Sequence, residues 1–358
     1  MVQFREDRWK RVEEVYGKWW SHTLERPLLG VVVVKDKYPI EPEIPPVTQA
    51  NITDLSITPA QIVDRFEADL SRCEFYGDAY PNINMDMFGP GILAAFLGAD
   101  VDSSTGRIWF HPHEHRELGE YEFRLDENNV WWTRLREIYR IAAERFGENV
   151  IMGMTDLGGV MDVLSTFRPG EELLFDLIDF PEDVRRQHKI VTELWMRAYE
   201  ALSRKHARGY TDWSSIFSKE KSYIVQCDFS YMIGNDMFEE FVLEDLRGMC
   251  RRIPNTIYHL DGAGEIKHLD SLLSIGELNA VQWVPGDGAP TGEHWMDIYE
   301  RIIAAGKGVQ VSAYDFRVLK EIVGKISNPG AINRSLYYVN ERDKDEALAF
   351  LDWMKVER

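Results

Sequence analysis

Thr256-Ile257-Tyr258-His259-Leu260-Asp261-Gly262 reads as a buried strand with a polar tip. Successive side chains on a strand point to opposite faces, so His259 and Asp261 share one face while Tyr258 and Leu260 share the other. An imidazole beside a carboxylate in a core position is costly unless something uses the pair. A metal ion, a reacting substrate or an internal hydrogen bond would each serve. Gly262 then ends the strand and lets the backbone turn.

Working outward, the same kind of short strand recurs. Candidates are Leu28 to Val34, Ala79 to Phe88, Asn149 to Thr155, Tyr210 to Trp213, Tyr223 to Asp228, Ala280 to Val284, Val309 to Ser312 and Leu336 to Val339. Longer helical patterns separate them. Asp7 to Trp20 carries apolar residues at Trp9, Val12, Val15, Tyr16, Trp19 and Trp20. Thr58-Pro59 opens a helix to about Tyr76, with Thr58 as N-cap and Pro59 at the first helical position. Further helices are expected at Trp131 to Phe146, Val160 to Ser165, Pro181 to Arg208, Asp236 to Arg252, His268 to Leu273, Glu293 to Ala305 and Arg317 to Lys325. Arg107 to Phe123 is polar, with weak alternation, and suits a hairpin excursion. The strand–helix alternation argues for βα units around a parallel sheet. With no long linker, low-complexity tract or internal repeat, residues 1–358 are expected to form one TIM-type (β/α)8 barrel domain, with an N-terminal helix and the excursion near 107–123.

The formal charge of −19 on 358 residues disfavours nucleic acid and anionic membrane surfaces as partners. Cys73, Cys227 and Cys250 show no CxxC spacing and leave one unpaired, as suits a reducing cytoplasm. The charged start (Arg5, Glu6, Asp7, Arg8) has no apolar leader core, and no apolar run approaches the ~20 residues of a membrane span.

Active sites of parallel barrels lie where the strands end. Parity brings polar residues to that end from several strands: Asn82, Asn84 and Asp86; Asp156; Gln226 and Asp228; His259 and Asp261; Gln282; Gln310 and Ser312, with Tyr314 beyond. Asp86 and Asp156 would equally serve as caps of the turns that follow them. Trp213 and Trp283, near strand ends, could stack on a flat ligand or belong to the core. Cys227 falls on the face opposite Asp228 and is expected to be a buried, inert thiol. The run His111-Pro112-His113-Glu114-His115 would put three histidines on one face of an extended segment, but Pro112 and the charged neighbours describe an exposed loop with no closed metal shell. The loops Asp261-Gly262-Ala263-Gly264 and Pro285-Gly286-Asp287-Gly288 match no phosphate-binding fingerprint.

The order of these segments resembles the uroporphyrinogen decarboxylase superfamily, which includes methyltransferases that exchange methyl groups with corrinoid proteins. The resemblance runs from about Arg26 to Met354. Gly77-Asp78-Ala79 through Asp86-Met87-Phe88 to Leu97-Gly98-Ala99 is similar to the family's second strand, making Asp86 its active-site aspartate. Asp236 to Leu243 resembles the helix after strand five, and Ala280 to Trp283 a later strand. His259-Leu260-Asp261-Gly262 resembles the His-x-Cys-Gly of the methyltransferase branch. The family fold is the (β/α)8 barrel.

Two departures matter. Where the decarboxylases carry an arginine-rich segment, this chain has Val34-Lys35-Asp36-Lys37-Tyr38, which argues against a polycarboxylated porphyrinogen. Where the methyltransferase branch binds zinc through cysteines, Asp261 replaces the first, and none follows Cys250. The resemblance therefore implies a divalent metal, zinc or a harder ion such as manganese, on His259 and Asp261.

The expected activity is metal-assisted methyl transfer between a small methylated substrate and a corrinoid carried by a partner protein. His259 and Asp261 hold the metal. Asp86 and Asp228 act as acid, base or positioning groups, and Asn82, Asn84, Asp156, Trp213, Gln282, Trp283, Ser312 and Tyr314 line the substrate site. A metal-free decarboxylase or lyase acting on a small acid and a non-catalytic ligand-binding barrel remain open, as does a homodimer.

Overall fold

The computed structural model describes residues 3–203, 208–290, 292–313 and 315–358. Its strands are β1 (Leu28–Val34), β2 (Cys73–Gly77), β3 (Asn82–Ile83), β4 (Asp100–Asp102), β5 (Trp109–His111), β6 (Ile151–Met152), β7 (Ser222–Gln226), β8 (Asn255–Asp261), β9 (Ala280–Val284), β10 (Gly308–Gln310) and β11 (Ile332–Asn340). The main sheet runs β2-β1-β11-β10-β9-β8-β7. All its pairs are parallel except β1–β2. β3 and β6 form a separate parallel pair, and β4 and β5 an antiparallel hairpin, the polar excursion. The protein is thus a mixed α/β structure built on a mostly parallel sheet, with helices between strands as βα units require.

No continuous ladder closes this sheet among the described residues. The β1 edge meets the β3 segment through the Asp78 amide, which donates to the Leu29 carbonyl at 2.9 Å. The β6 end meets 210–213 through the Met154 amide, which donates to the Thr211 carbonyl at 2.8 Å. Residues 210–213, expected as a strand, make a parallel bridge from Asp212 to Met154 without a longer ladder and form one arm of an inward loop. Tyr210 and Ser218 pair across its base, and its tip turns at Ser215, whose φ is 58°.

Other elements also depart from their sequence patterns. The helix opened by Pro59 has the expected Thr58 cap, completed by Gln61, but stops at Ser71. Phe75 and Tyr76 lie in β2, where the sheet edge of β1 competes with continued helix. The strand expected over 79–88 shrinks to β3 and a 3-10 turn, Asp86–Phe88. Glu172–Asp179 is an additional helix, and the helix begun at Pro181 ends at Leu202.

The first helix, Glu6–Trp20, buries all six residues its spacing marks. Its aromatic face joins Tyr80 and Phe217 with Ile224, Ile257 and Ala280, so it closes the end of the sheet where β7, β8 and β9 begin. Trp20 Nε1 donates to the Phe217 carbonyl at 2.8 Å, which satisfies its polar edge inside an apolar cluster. Among the described residues no helix is long and apolar enough to cross a membrane.

Candidate functional site

Strand register places Gln226, His259, Gln282, Gln310 and Asn333 side by side on β7 to β11. Their neighbours in sequence, Tyr258, Leu260 and Trp283, are buried in the core cluster that the helices cover. The belt is hydrogen-bonded in one direction. Gln310 Nε2 donates to the Ser214 carbonyl at 3.1 Å, so its Oε1 faces Gln282 and accepts from Gln282 Nε2 at 2.7 Å. Gln282 Oε1 then faces His259 Nδ1. A carbonyl can only accept, so each amide orientation follows from the last, and His259 Nδ1 must carry the proton. Burial lowers the pKa of His259, against the charge of Asp261. A neutral imidazole with its Nδ1 proton committed leaves Nε2 as a lone pair, able to accept a proton or a hydrogen bond.

The inward loop supports this belt. Ser214 accepts from both Gln310 and Ser335, Trp213 places its ring edge-on to His259 at 5.1 Å, and the Trp213 carbonyl accepts from Asn84 at 3.0 Å. One short segment therefore ties β3, β8, β10 and β11 together beneath the site.

Beyond the belt, at the strands' C-terminal ends, carboxyl groups gather. Burial pushes Asp156 up to about 8, with the charges of Asp228, Asp162 and Asp86 adding to it. Asp162 is lifted to about 7 by burial and by Asp228, although its carboxylate accepts from the amides of Gly159, Asp228 and Phe229. Asp228 reaches solvent at the rim, yet desolvation by the concave wall and the charge of Asp261 raise it to about 6. Glu265, 1% exposed, is pushed to about 9, first by burial and then by Asp228. Asp86, exposed at the rim, is raised by desolvation alone. Asp162 and Asp228 open onto a cavity of about 300 Å³ that Gln226, Phe229 and Met232 also line. With pKa values spread from about 6 at Asp228 to about 9 at Glu265, the mouth holds both neutral and ionised carboxyl groups near neutral pH and can exchange protons there.

The structure brings together Asp86, Asp156, Asp228, His259, Asp261 and Gln282. Asn84 orients the rim by accepting from the Asp86 amide at 3.0 Å. Asn82 is buried, with its amide turned back to the Tyr80 carbonyl. Ser312 donates to the Trp283 carbonyl at 2.7 Å. Trp283 corrects the sequence-based expectation: alternating with Gln282, it is fully buried against Trp295 in the helix layer and lines no substrate site. Tyr314 lies outside the described residues. Asp156 also caps its own turn, accepting from the Gly158 amide at 2.7 Å. Cys227 is buried on the helix side, as parity requires.

His259 and Asp261 face the same space, but among the described residues no group of three or more His, Cys, Asp or Glu side chains is arranged to hold a metal. With Nδ1 bound to Gln282, the pair offers Nε2 and one carboxylate, short of the three protein ligands of a catalytic zinc. These residues as placed do not fit a resident metal. The histidine run disperses as well: His113 meets Asp100 and His115 meets Glu172.

Asp162 and Glu265 escaped sequence reasoning. Asp162 sits three residues after Gly159 at the start of the helix Val160–Phe167, and that spacing marked a capping acid. A side chain on Gly159 would lie 2.3 Å from the Gln226 carbonyl, so glycine there lets the helix start pack against β7 and delivers Asp162 to the mouth. Nothing in Gly262-Ala263-Gly264-Glu265 announces a buried acid.

No protein-family model matches the chain, and no curated protein matches it by sequence. Among solved structures it is similar to a methyltransferase from Methanosarcina mazei, with a TM-score of 0.64. That likeness covers 96% of this chain and 99% of the other at 13% identity. At such identity the likeness speaks to the fold, and it extends over essentially both chains.

Proposed function

We propose that this protein is a methyltransferase-like enzyme on a (β/α)8-type barrel related to the uroporphyrinogen decarboxylase superfamily. It moves a methyl group between a small methylated substrate and a corrinoid on a partner protein. The observation that carries this reading is the mouth itself: a histidine held in one tautomer stands beside carboxyl groups of raised pKa, two of which, Asp162 and Asp228, open onto a cavity of about 300 Å³. The structural likeness to a methyltransferase over nearly the whole chain supports it. When a methyl leaves a neutral oxygen, nitrogen or sulfur for a nucleophilic acceptor, the carbon–heteroatom bond breaks and its electron pair stays on the heteroatom. That atom then takes a proton. Asp228, at the cavity wall, is placed to give it, with Asp156 behind as a reserve, while His259 Nε2 holds the polar end of the substrate. The corrinoid would supply the nucleophile, and no step here depends on a metal.

The test is a methyl-transfer assay with a reduced corrinoid acceptor and a panel of small methylated donors. His259→Ala should abolish turnover while circular dichroism stays unchanged; full activity in that variant sinks the proposal. A second reading, a metal-free decarboxylase or lyase, is favoured by the incomplete metal shell and the proton-bearing acids. The products separate the two, since methylation of the corrinoid favours the transferase, while carbon dioxide or an elimination product released from a small acid without any acceptor favours the lyase.

A further inference from the structure

Asp228 sits in a segment that holds itself together poorly. Asp228–Met232 is a 3-10 turn, a geometry with weak internal hydrogen bonds. It carries three residues of the cavity wall, Asp228, Phe229 and Met232. Its outer side gains little from burial, since Tyr231 is 58% and Met232 50% exposed. Connecting segments of this kind are where backbone mobility concentrates. Here four consecutive residues are gripped from outside the segment. The amides of Asp228 and Phe229 donate to the Asp162 carboxylate at 3.1 and 2.7 Å. The carbonyl of Ser230 accepts from His268 Nε2 at 2.9 Å, and that of Tyr231 accepts from Lys267 Nζ at 2.9 Å.

His268 is built for this grip. It and Ser230 are both fully buried, so water cannot replace their bond unless the turn opens. A carbonyl can only accept, so His268 Nε2 carries a hydrogen. The ring stacks on Phe238 at 4.3 Å, and its Nδ1 faces Asn235 Oδ1 at 3.2 Å. Asn235 Nδ2 in turn donates to Glu239 Oε1 at 3.0 Å, which fixes the amide. None of His268, Phe238, Asn235 and Lys267 lines the cavity. The turn Ala263–His268, which follows β8, also receives the Tyr231 ring. A side chain on Gly264 would lie 2.2 Å from that ring, so glycine there lets the two turns close on each other.

We propose that His268 and Lys267 are positioning residues of the active site: from behind the cavity they strap the turn after β7 to the turn after β8 and so fix where Asp228 stands. The proposal rests on the methyl-transfer reading, in which Asp228 gives the proton to the departing heteroatom, and adds to it two residues outside the cavity. Removing the donor from His268 strands the Ser230 carbonyl, and a buried acceptor without a partner favours turn conformations that reach water. Asp228, two residues earlier in the same turn, moves with it. A loss at His268 and a loss at Asp228 are then one loss, and the two substitutions are not additive.

The experiment uses His268→Phe, which keeps the stack on Phe238 and removes the donor, and His268→Gln, which returns a donor near the Nε2 position. Hydrogen–deuterium exchange on the full chain reads the strap directly. Amides of residues 228–233 should exchange about tenfold faster in His268→Phe, return toward the wild-type rate in His268→Gln, and stay coupled to no change in β8. Lys267→Met, at an exposed position, should speed the same amides without disturbing the core. Unchanged exchange in both His268→Phe and Lys267→Met overturns the proposal, as does acceleration spread over the whole chain, which would mark His268 as an ordinary core residue. In the methyl-transfer assay His268→Phe should lower kcat about tenfold with rescue by His268→Gln, and should cost nothing further in the Asp228→Asn background; a loss that multiplies there overturns the link to Asp228. Because exchange is read without turnover, a wild type that transfers no methyl group removes the transferase reading and leaves the strap to be decided by its own measurement.

Discussion

Two fully protein-made circuits meet at His259. One is the amide chain from Ser214 through Gln310 and Gln282, which commits the Nδ1 proton. The other is the acid cluster, in which neighbouring carboxylates add to burial in suppressing ionisation of Asp156, Asp162, Asp228 and Glu265. Glu265 shows the energetic consequence. Its side chain is buried, its Oε2 accepts from the Asp261 amide at 3.2 Å, and its pKa stands at about 9, against about 4.3 for an unfolded glutamate. A carboxyl whose folded pKa is raised stabilises the fold fully below the unfolded value and loses that contribution as pH climbs to the folded value. Wild-type stability should therefore fall between about pH 4 and 9, and Glu265→Gln should flatten part of that fall. Urea denaturation at pH 5 and pH 9.5 measures it, and parallel pH slopes for the two proteins would show that Glu265 titrates normally. At this scale the alternation over 256–262 was readable, because a period of two needs no tertiary information: Tyr258 and Leu260 went to the helix layer, His259 and Asp261 to the mouth. The burial of Glu265 was not readable; beside it Tyr231 folds over Gly264 from a different loop, a contact that no local pattern announces.

Elements hold the site from below. The first helix inserts Trp9, Tyr16, Trp19 and Trp20 under the sheet, and the inward loop rests on that aromatic layer, with Tyr16 edge-on to Phe217 at 5.7 Å. Trp9 is fully buried and touches Phe4, Tyr80 and Phe217. Trp9→Ala should cost about 3–5 kcal/mol, the range for removing a large buried aromatic side chain. The loss is measured by chemical denaturation. A cost below about 1 kcal/mol would mean that the helix is a detachable cover and the loop stands without it. The helix itself was legible from its apolar spacing, as was the Thr58-Pro59 start. The inward loop was not: Tyr210 to Trp213 has strand composition and makes one parallel bridge to Met154, and only the contacts of Trp213 and Ser214 with Asn84, Gln310 and Ser335 show that the chain then turns into the interior. β2 was hidden for a related reason, since Phe75 and Tyr76 continue helical spacing and only the free edge of β1 makes strand the better use of them.

At the scale of the molecule, the decisive contact is between β1 and β11. It joins residues near 30 to residues near 335 in a parallel pair, with the Val31 to Val34 backbone matched to Tyr337 through Asn340. Short apolar strands alternating with helices made a parallel α/β sheet legible from the sequence, but not where its ladder breaks, because those breaks are set by Gly77, where the chain leaves β2, and by the inward loop. The main apolar core nevertheless runs without division from Leu29 to Val356. Neither end of the chain can unfold alone without exposing the sheet edge and core of the other, so the expectation of one domain becomes a statement about cooperativity. Thermal unfolding followed by far-ultraviolet circular dichroism and by tryptophan fluorescence should give coincident single transitions. The fluorescence reports on tryptophans spread from Trp9 to Trp353 and the dichroism on the helices, so two separated midpoints would reveal halves that fold independently. The β1–β11 pair would then be a docking contact between them, and the mouth acids, drawn from residues 86 to 265, would owe their arrangement to that docking and not to a single core.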